Sequence, residues 1–218
     1  MGCKGSKVRI LSHRPTSFEE AALTQVKAAF SIGKRETAWV LIAFCWYSAR
    51  SFDIDQKGHT MDLQLKGKRA LVTGGSKGIG KAIAQVLAEE GADVALLARN
   101  VDALTLAATE IAGLTGRKVF GVSADTRSDE QVKAAVADAV LRLGGSIDIL
   151  VNAAAEPAGF AAPPKLAEIT GEFYQAEMNT KVMGYIRVAK AVVPDMQAKR
   201  WGRIVNISGL AEIGRAHV

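Results

Sequence analysis

Thr73-Gly74-Gly75-Ser76-Lys77-Gly78-Ile79-Gly80 is the stretch from which the fold of this chain can be read. Before it stands a short apolar run, Lys68-Arg69-Ala70-Leu71-Val72, ending on Thr73. After it comes Lys81-Ala82-Ile83-Ala84-Gln85-Val86-Leu87-Ala88-Glu89-Glu90, whose apolar residues recur at helical spacing. The unit is strand, glycine loop, helix. Glycines are needed where a pyrophosphate must approach the backbone at a helix amino-terminus, because unpaired N–H groups and the helix dipole favour an anion there. Glycines also serve tight turns for steric reasons alone, and a bare glycine pattern is weak; the strand before and the helix after supply the context it requires.

Working outward, Gly91 stops the helix and Val94-Ala95-Leu96-Leu97 forms a second strand buried on both faces. The alternation continues with a helix over 101–114, a strand over 119–122, a helix over 129–143 and a strand over 147–151. A long helix from about residue 169 to 197 and a strand over 203–207 complete it. Continuous apolar strands separated by amphipathic helices imply a parallel sheet with helices on both faces, since parallel strands need crossovers. The Ala- and Pro-rich segment 154–165 is a loop leaving the fourth of these strands. No repeat or low-complexity linker interrupts the pattern.

Charge and cysteine usage set the first sixty residues apart. The net charge is +6, but residues 1–60 carry nine Lys and Arg against five Asp and Glu, while the remainder carries nineteen against seventeen. A nucleic-acid partner is a poor reading, because its footprint would cluster basic residues on the folded domain. Both cysteines, Cys3 and Cys45, lie in this first part, so neither a disulfide framework nor a thiolate metal site is expected. The apolar run from Ala38 to Tyr47 is ten residues, half of the roughly 20 that span a bilayer, and Ser48-Ala49-Arg50 is a weak, late cleavage site. Met1-Gly2-Cys3 fits an acylation pattern, which would tether the chain to a membrane. The preferred reading is a start at Met61, with residues 1–60 a non-domain extension and no membrane contact; the protein is then expected in the cytoplasm.

The spacing Gly-x-x-x-Gly-x-Gly preceded by Thr resembles the short-chain dehydrogenase/reductase family, and the resemblance runs from about Met61 to Ala211. It implies a Rossmann-like, doubly wound parallel sheet of order 3-2-1-4-5 over residues 61–211, incomplete at the carboxyl end. Gly74, Ser76, Lys77, Gly78, Ile79 and Gly80 then hold the cofactor phosphates. Asp125, in Ala124-Asp125-Thr126, stands where the family has an adenine-contacting acid, with Thr126 beside it; taken alone it reads more readily as an ordinary loop aspartate or helix cap, and it is the register with the glycine loop that makes it a ligand. Asn152-Ala153-Ala154-Ala155 stands where the family has Asn-Asn-Ala-Gly, a partial match that keeps the first Asn.

Charge decides which nicotinamide cofactor the resemblance implies. A free ribose 2′-hydroxyl is held by an acid at the end of the second strand, whereas a 2′-phosphate requires Arg or Lys. The acid position here is Ala98, Arg99 follows it, and Lys77 lies in the glycine loop, so NADP(H) is expected over NAD(H).

For catalysis the family uses an Asn, a Ser, a Tyr and a Lys around a carbonyl or secondary alcohol substrate. Asn179 matches the Asn, or merely ties neighbouring backbone. Ser208 matches the Ser with a one-residue offset, since the ungapped hydroxyl position is Gly209; a turn role is the alternative. The Tyr-x-x-x-Lys pair would follow and is not reached before Val218; Tyr47, Tyr174 and Tyr185 do not supply it. The polypeptide as given is therefore expected to be an inactive fragment of a homo-oligomeric NADP(H)-dependent oxidoreductase, with a non-catalytic nucleotide sensor or scaffold as the alternative. Residues 212–218, Glu-Ile-Gly-Arg-Ala-His-Val, read as a translated sequencing adapter, a non-native tail. No metal site is expected.

Overall fold

The computed structural model describes residues 63–155 and 170–208, and the backbone path of residues 39–44. Six strands form one parallel sheet: β1 (Trp39–Phe44), β2 (Arg69–Thr73), β3 (Asp93–Ala98), β4 (Val119–Ser123), β5 (Ile149–Asn152) and β6 (Arg203–Ser208), in the order β1-β6-β5-β2-β3-β4. Taken without β1, this is the 3-2-1-4-5 arrangement, with the crossover reversing beside β2. The connecting helices are α1 (Gly78–Glu89), α2 (Val101–Thr115), α3 (Asp129–Leu143), α4 (Gly171–Met178) and α5 (Gly184–Ala198).

The strands read as unbroken apolar runs because both faces of the sheet are covered. Ala70 and Val72 of β2, Val94 and Leu96 of β3 and Val151 of β5 pack with Ile83 and Leu87 of α1 and Leu104 and Ile111 of α2. The alternate residues Leu71, Leu97 and Leu150 pack on the other side with Val132 and Ala139 of α3 and Val188, Val192 and Met196 of α5. Period-two alternation thus feeds two cores from one sheet. Each fully buried Leu in them contributes about 2 kcal/mol by removal from water.

Two features depart from the sequence reading. Six residues of the apolar run in the amino-terminal extension form a sheet strand: β1 pairs in parallel with β6, from Trp39 opposite Arg203 to Phe44 opposite Ser208. A run too short for a bilayer is long enough for a parallel strand, and the outer edge of β6 offers an unpaired row of N–H and C=O groups. The acylation positions Gly2 and Cys3, together with Cys45, Gly209 and the 212–218 tail, lie outside the described residues, as does the loop from residue 156 on.

The second departure is in the long helix, which is not uniformly α-helical. Between α4 and α5 lies a π turn, Asn179–Met183, in which the Gly184 N–H donates to the carbonyl of Asn179 five residues back. Apolar periodicity does not reveal a turn widened by one residue, because the register on either side still reads as helical. The expected helix start at 169 lies outside the described residues. Among those described, no helix is long and apolar enough to cross a membrane, and no cluster of His, Cys, Asp and Glu could hold a metal ion.

Candidate nucleotide-binding site

The loop between β2 and α1 is folded tightly against the neighbouring strand ends. Gly74 adopts φ +69° and donates its N–H to the Leu97 carbonyl at 2.8 Å. A Cβ at Gly74 would stand 2.7 Å from the Ala153 carbonyl oxygen, and one at Gly80 would run into the carbonyl of Gly74. Glycine is therefore a packing requirement at both positions, and at Gly74 a conformational one as well. Thr73, fully buried, ties the other wall in place: its Oγ1 accepts hydrogen bonds from the Ala153 N–H at 3.0 Å and the Ala154 N–H at 3.1 Å.

The start of α1 differs from those of α2, α3 and α4. At α2 the Asn100 side chain accepts from the Ala103 N–H, at α3 Ser128 accepts from Gln131, and at α4 Thr170 accepts from Phe173, with at least one acidic residue in each first turn. At α1 the cap position is Lys77, whose side chain caps nothing, and the first turn holds no acid. The orphan N–H groups are left for another anion. How strongly such groups favour negative charge is visible elsewhere: Glu130 and Glu172 are both held below the ordinary carboxylate range, chiefly by their own first-turn N–H groups and then by the neighbouring cap hydroxyl.

This helix start opens into a cavity of about 680 Å³ at the carboxyl ends of β2, β3, β4 and β5. Gly74, Ser76, Lys77, Gly78, Ile79 and Gly80 line it, with Arg99, Asp125, Thr126, Ala153 and Ala154. Ala98, the last residue of β3, lines it too. The carboxylate of Asp125 is engaged by Arg127, whose Nε lies 3.1 and 3.0 Å from its two oxygens and whose terminal nitrogen lies 2.6 Å from one. Arg127 holds the Asp125 carboxyl below the ordinary aspartate range, more through its side-chain hydrogen bonds than through its backbone N–H or its charge; Arg99 adds a smaller effect and partial burial opposes the shift. The Asp125 carboxylate is thereby paired, and the other charged side chains on the lining, Lys77 and Arg99, are both cationic.

Asn152, expected beside the cofactor, and Asn179, expected at the reacting centre, are not among the lining residues. Asn152 is 1% exposed and is not on the cavity lining; its Nδ2 donates to the Oδ1 of Asn206 across the β5–β6 ladder at 2.9 Å, and its own Oδ1 is buried without a partner among the described residues. Asn179 opens the π turn with its Oδ1 accepting from Arg187 at 2.8 Å, and it too is off the lining. Ser208 is the last residue of β6. The lining also includes Asn100 and Thr180, which the sequence reading did not single out. Asn100 carries a visible signal, an Asn immediately before a helix. Thr180 carries none, because its direction depends on the π turn.

Residues 68–217 match the family described as short chain dehydrogenase. The chain is 36% identical over 153 residues to an uncharacterised oxidoreductase of Bacillus subtilis, covering 70% of this chain and 55% of that one. It is 33% identical over 150 residues to the 3-oxoacyl-acyl-carrier-protein reductase of Aquifex aeolicus, covering 69% and 58%. Among solved structures, the L-sorbose reductase of Gluconobacter frateurii complexed with NADPH and L-sorbose superposes with a TM-score of 0.59 at 39% identity, over 66% of this chain and 53% of that one. An alcohol dehydrogenase from the archaeon Thermococcus sibiricus, complexed with 5-hydroxy-NADP, superposes at 0.56 with 32% identity, over 63% and 57%. The chain thus spans about half the length of the relatives it matches.

Proposed function

Because this chain belongs to the short-chain dehydrogenase family of oxidoreductases, which use nicotinamide cofactors on small molecules, we propose that it is the dinucleotide-binding part of an NADP(H)-dependent enzyme interconverting a carbonyl and a secondary alcohol. One observation carries the reading: the α1 start lacks both a side-chain cap and an acid, and it opens into a cavity lined by Lys77 and Arg99 with Ala98 at the acid position. The close approach of Gly74 and Gly80 to neighbouring backbone leaves the loop flush with that cavity, so the residues present fit a pyrophosphate.

In this reading the α1 amides and Ser76 bind the pyrophosphate, while Lys77 and Arg99 neutralise a 2′-phosphate. Ile79, Ala153 and Ala154 present apolar surface that excludes water, and Asp125 and Thr126 flank the adenine. The nicotinamide, when bound, supplies or accepts the hydride. Ser208, at the carboxyl end of β6, is the hydroxyl assigned to the substrate oxygen. The Oδ1 of Asn179 is already taken by Arg187, which leaves its amide N–H for a proton-relay water. The NADPH and 5-hydroxy-NADP in the two structural neighbours favour the same cofactor choice.

The test is nucleotide affinity. NADPH should bind this protein more tightly than NADH, and Arg99→Asp should reverse that order by placing an acid against the 2′-position. Equal affinities before mutation would refute the charge argument.

A further inference from the structure

Arg187, on the first turn of α5, touches both the loop after β4 and the start of the π turn. Its terminal nitrogen donates to the Asn179 Oδ1 at 2.8 Å, to the Asn179 carbonyl at 3.3 Å and to the Thr126 carbonyl at 3.4 Å. Its Nε stands 3.3 Å from an Asp129 carboxylate oxygen at the start of α3. The Arg187 side chain is 15% exposed, so its hydrogen bonds to the Asn179 and Thr126 oxygens are shielded from water, whereas Asp129 is 61% exposed and its ion pair lies at the surface. The Asn179 carbonyl also accepts the Gly184 N–H that defines the π turn. Gly184 itself backs onto Thr126, whose Oγ1 would be 3.1 Å from a Cβ placed there.

Two cavity-lining residues depend on these contacts. Thr126 offers one of the carbonyls that Arg187 holds, and Thr180 is bonded to the residue whose side chain and carbonyl it holds. Both threonines are buried, 6% and 5% exposed. The elements concerned are separated by more than 50 residues, and among the described residues no strand ladder joins the π turn to the 124–129 loop.

We propose that Arg187 is a positioning residue for the nucleotide cavity: its guanidinium fastens the π turn to the loop after β4 and so sets the spacing of Thr126 and Thr180, without touching the ligand. One terminal nitrogen makes all three hydrogen bonds, while the Nε faces Asp129 as an ion pair without a hydrogen bond; the rigid guanidinium plane fixes the separation of the two, which the single point charge of a lysine ammonium does not reproduce. The role rests on the nucleotide reading given above.

Two measurements on the full chain test it and keep the two claims apart. In amide hydrogen exchange without nucleotide, Arg187→Met should speed exchange at least tenfold both in residues 124–129 and in residues 179–184, with β2 and β3 unchanged; wild-type protection in 124–129 would overturn the clamp. In titrations with adenosine 2′,5′-bisphosphate, Arg187→Met and Asn179→Ala should each weaken binding by roughly tenfold, the double variant should lose no more than either single, and Arg187→Lys should not restore affinity. Wild-type affinity in Arg187→Met, or losses that multiply in the double variant, would overturn the positioning role. A wild-type protein that binds neither this probe nor NADPH would instead overturn the nucleotide reading, and the exchange result would then decide the clamp by itself.

Discussion

The hydroxyl oxygen of Thr73 and the amide of Ala153 are 3.0 Å apart, and that hydrogen bond joins the end of β2 to the chain leaving β5. The same oxygen accepts from Ala154, so one side chain at the start of the glycine loop holds two successive amides of the chain leaving β5. The acceptor is fully buried, so water does not compete for these two hydrogen bonds.

Thr73→Val keeps the shape and removes the acceptor. Two amides lose their partner, at a cost of about 1–3 kcal/mol, and nucleotide affinity should fall with stability. Thr73→Ser should retain most of both. Denaturant unfolding of the three proteins checks this, and equal midpoints for Val and wild type would remove Thr73 from the account.

Two glycines should respond in opposite directions. Gly80→Ala drives a Cβ into the Gly74 carbonyl and should destabilise the fold by about 1–3 kcal/mol while abolishing nucleotide binding. Gly113, inside α2, has no heavy atom within 4 Å of a Cβ, so Gly113→Ala should stabilise by about 0.5–1 kcal/mol through helix propensity. Thermal unfolding of both variants tests the contrast.

Acid stability should depend on Arg127. The folded-state pKa of Asp125 is depressed, so its contribution is present above the ordinary aspartate value of about 3.9 and is lost as pH falls through the folded-state value. Arg127→Ala should move the Asp125 carboxyl titration upward, as read by its carbon chemical shift. The loss in stability near neutral pH should stay within about 1 kcal/mol, since both groups are partly solvated. An unmoved titration would show that the ion pair does not form in solution.

Along the α4, π and α5 rod, Tyr174, Met178, Val182 and Ile186 recur every four residues and are 60, 37, 41 and 44% exposed. An apolar stripe of this kind is what a homo-oligomer would cover. Val182→Lys with Ile186→Lys should lower the sedimentation coefficient toward that of a monomer while leaving nucleotide binding intact. A wild-type protein that sediments as a monomer would overturn the homo-oligomer expectation.

Local chemistry determined most of the fold from the sequence alone. The glycine loop with its strand and helix, the bounds of α3, and the caps at Asn100 and Ser128 are visible because propensity, capping and apolar period act over a few residues. The residues behind the proposed cofactor choice, Ala98, Arg99 and Lys77, were legible too, since they stand in that loop or at fixed offsets from it. Tertiary structure alone decided where the remaining side chains point. Asn152 turns to Asn206 and Asn179 to Arg187, each because a partner arrives from another element or a distant turn of the same rod. The π turn and the β1–β6 pairing are of the same kind. Widening one helical turn, or adding an apolar strand to an open edge, changes local energy little, so packing between distant segments chooses the outcome.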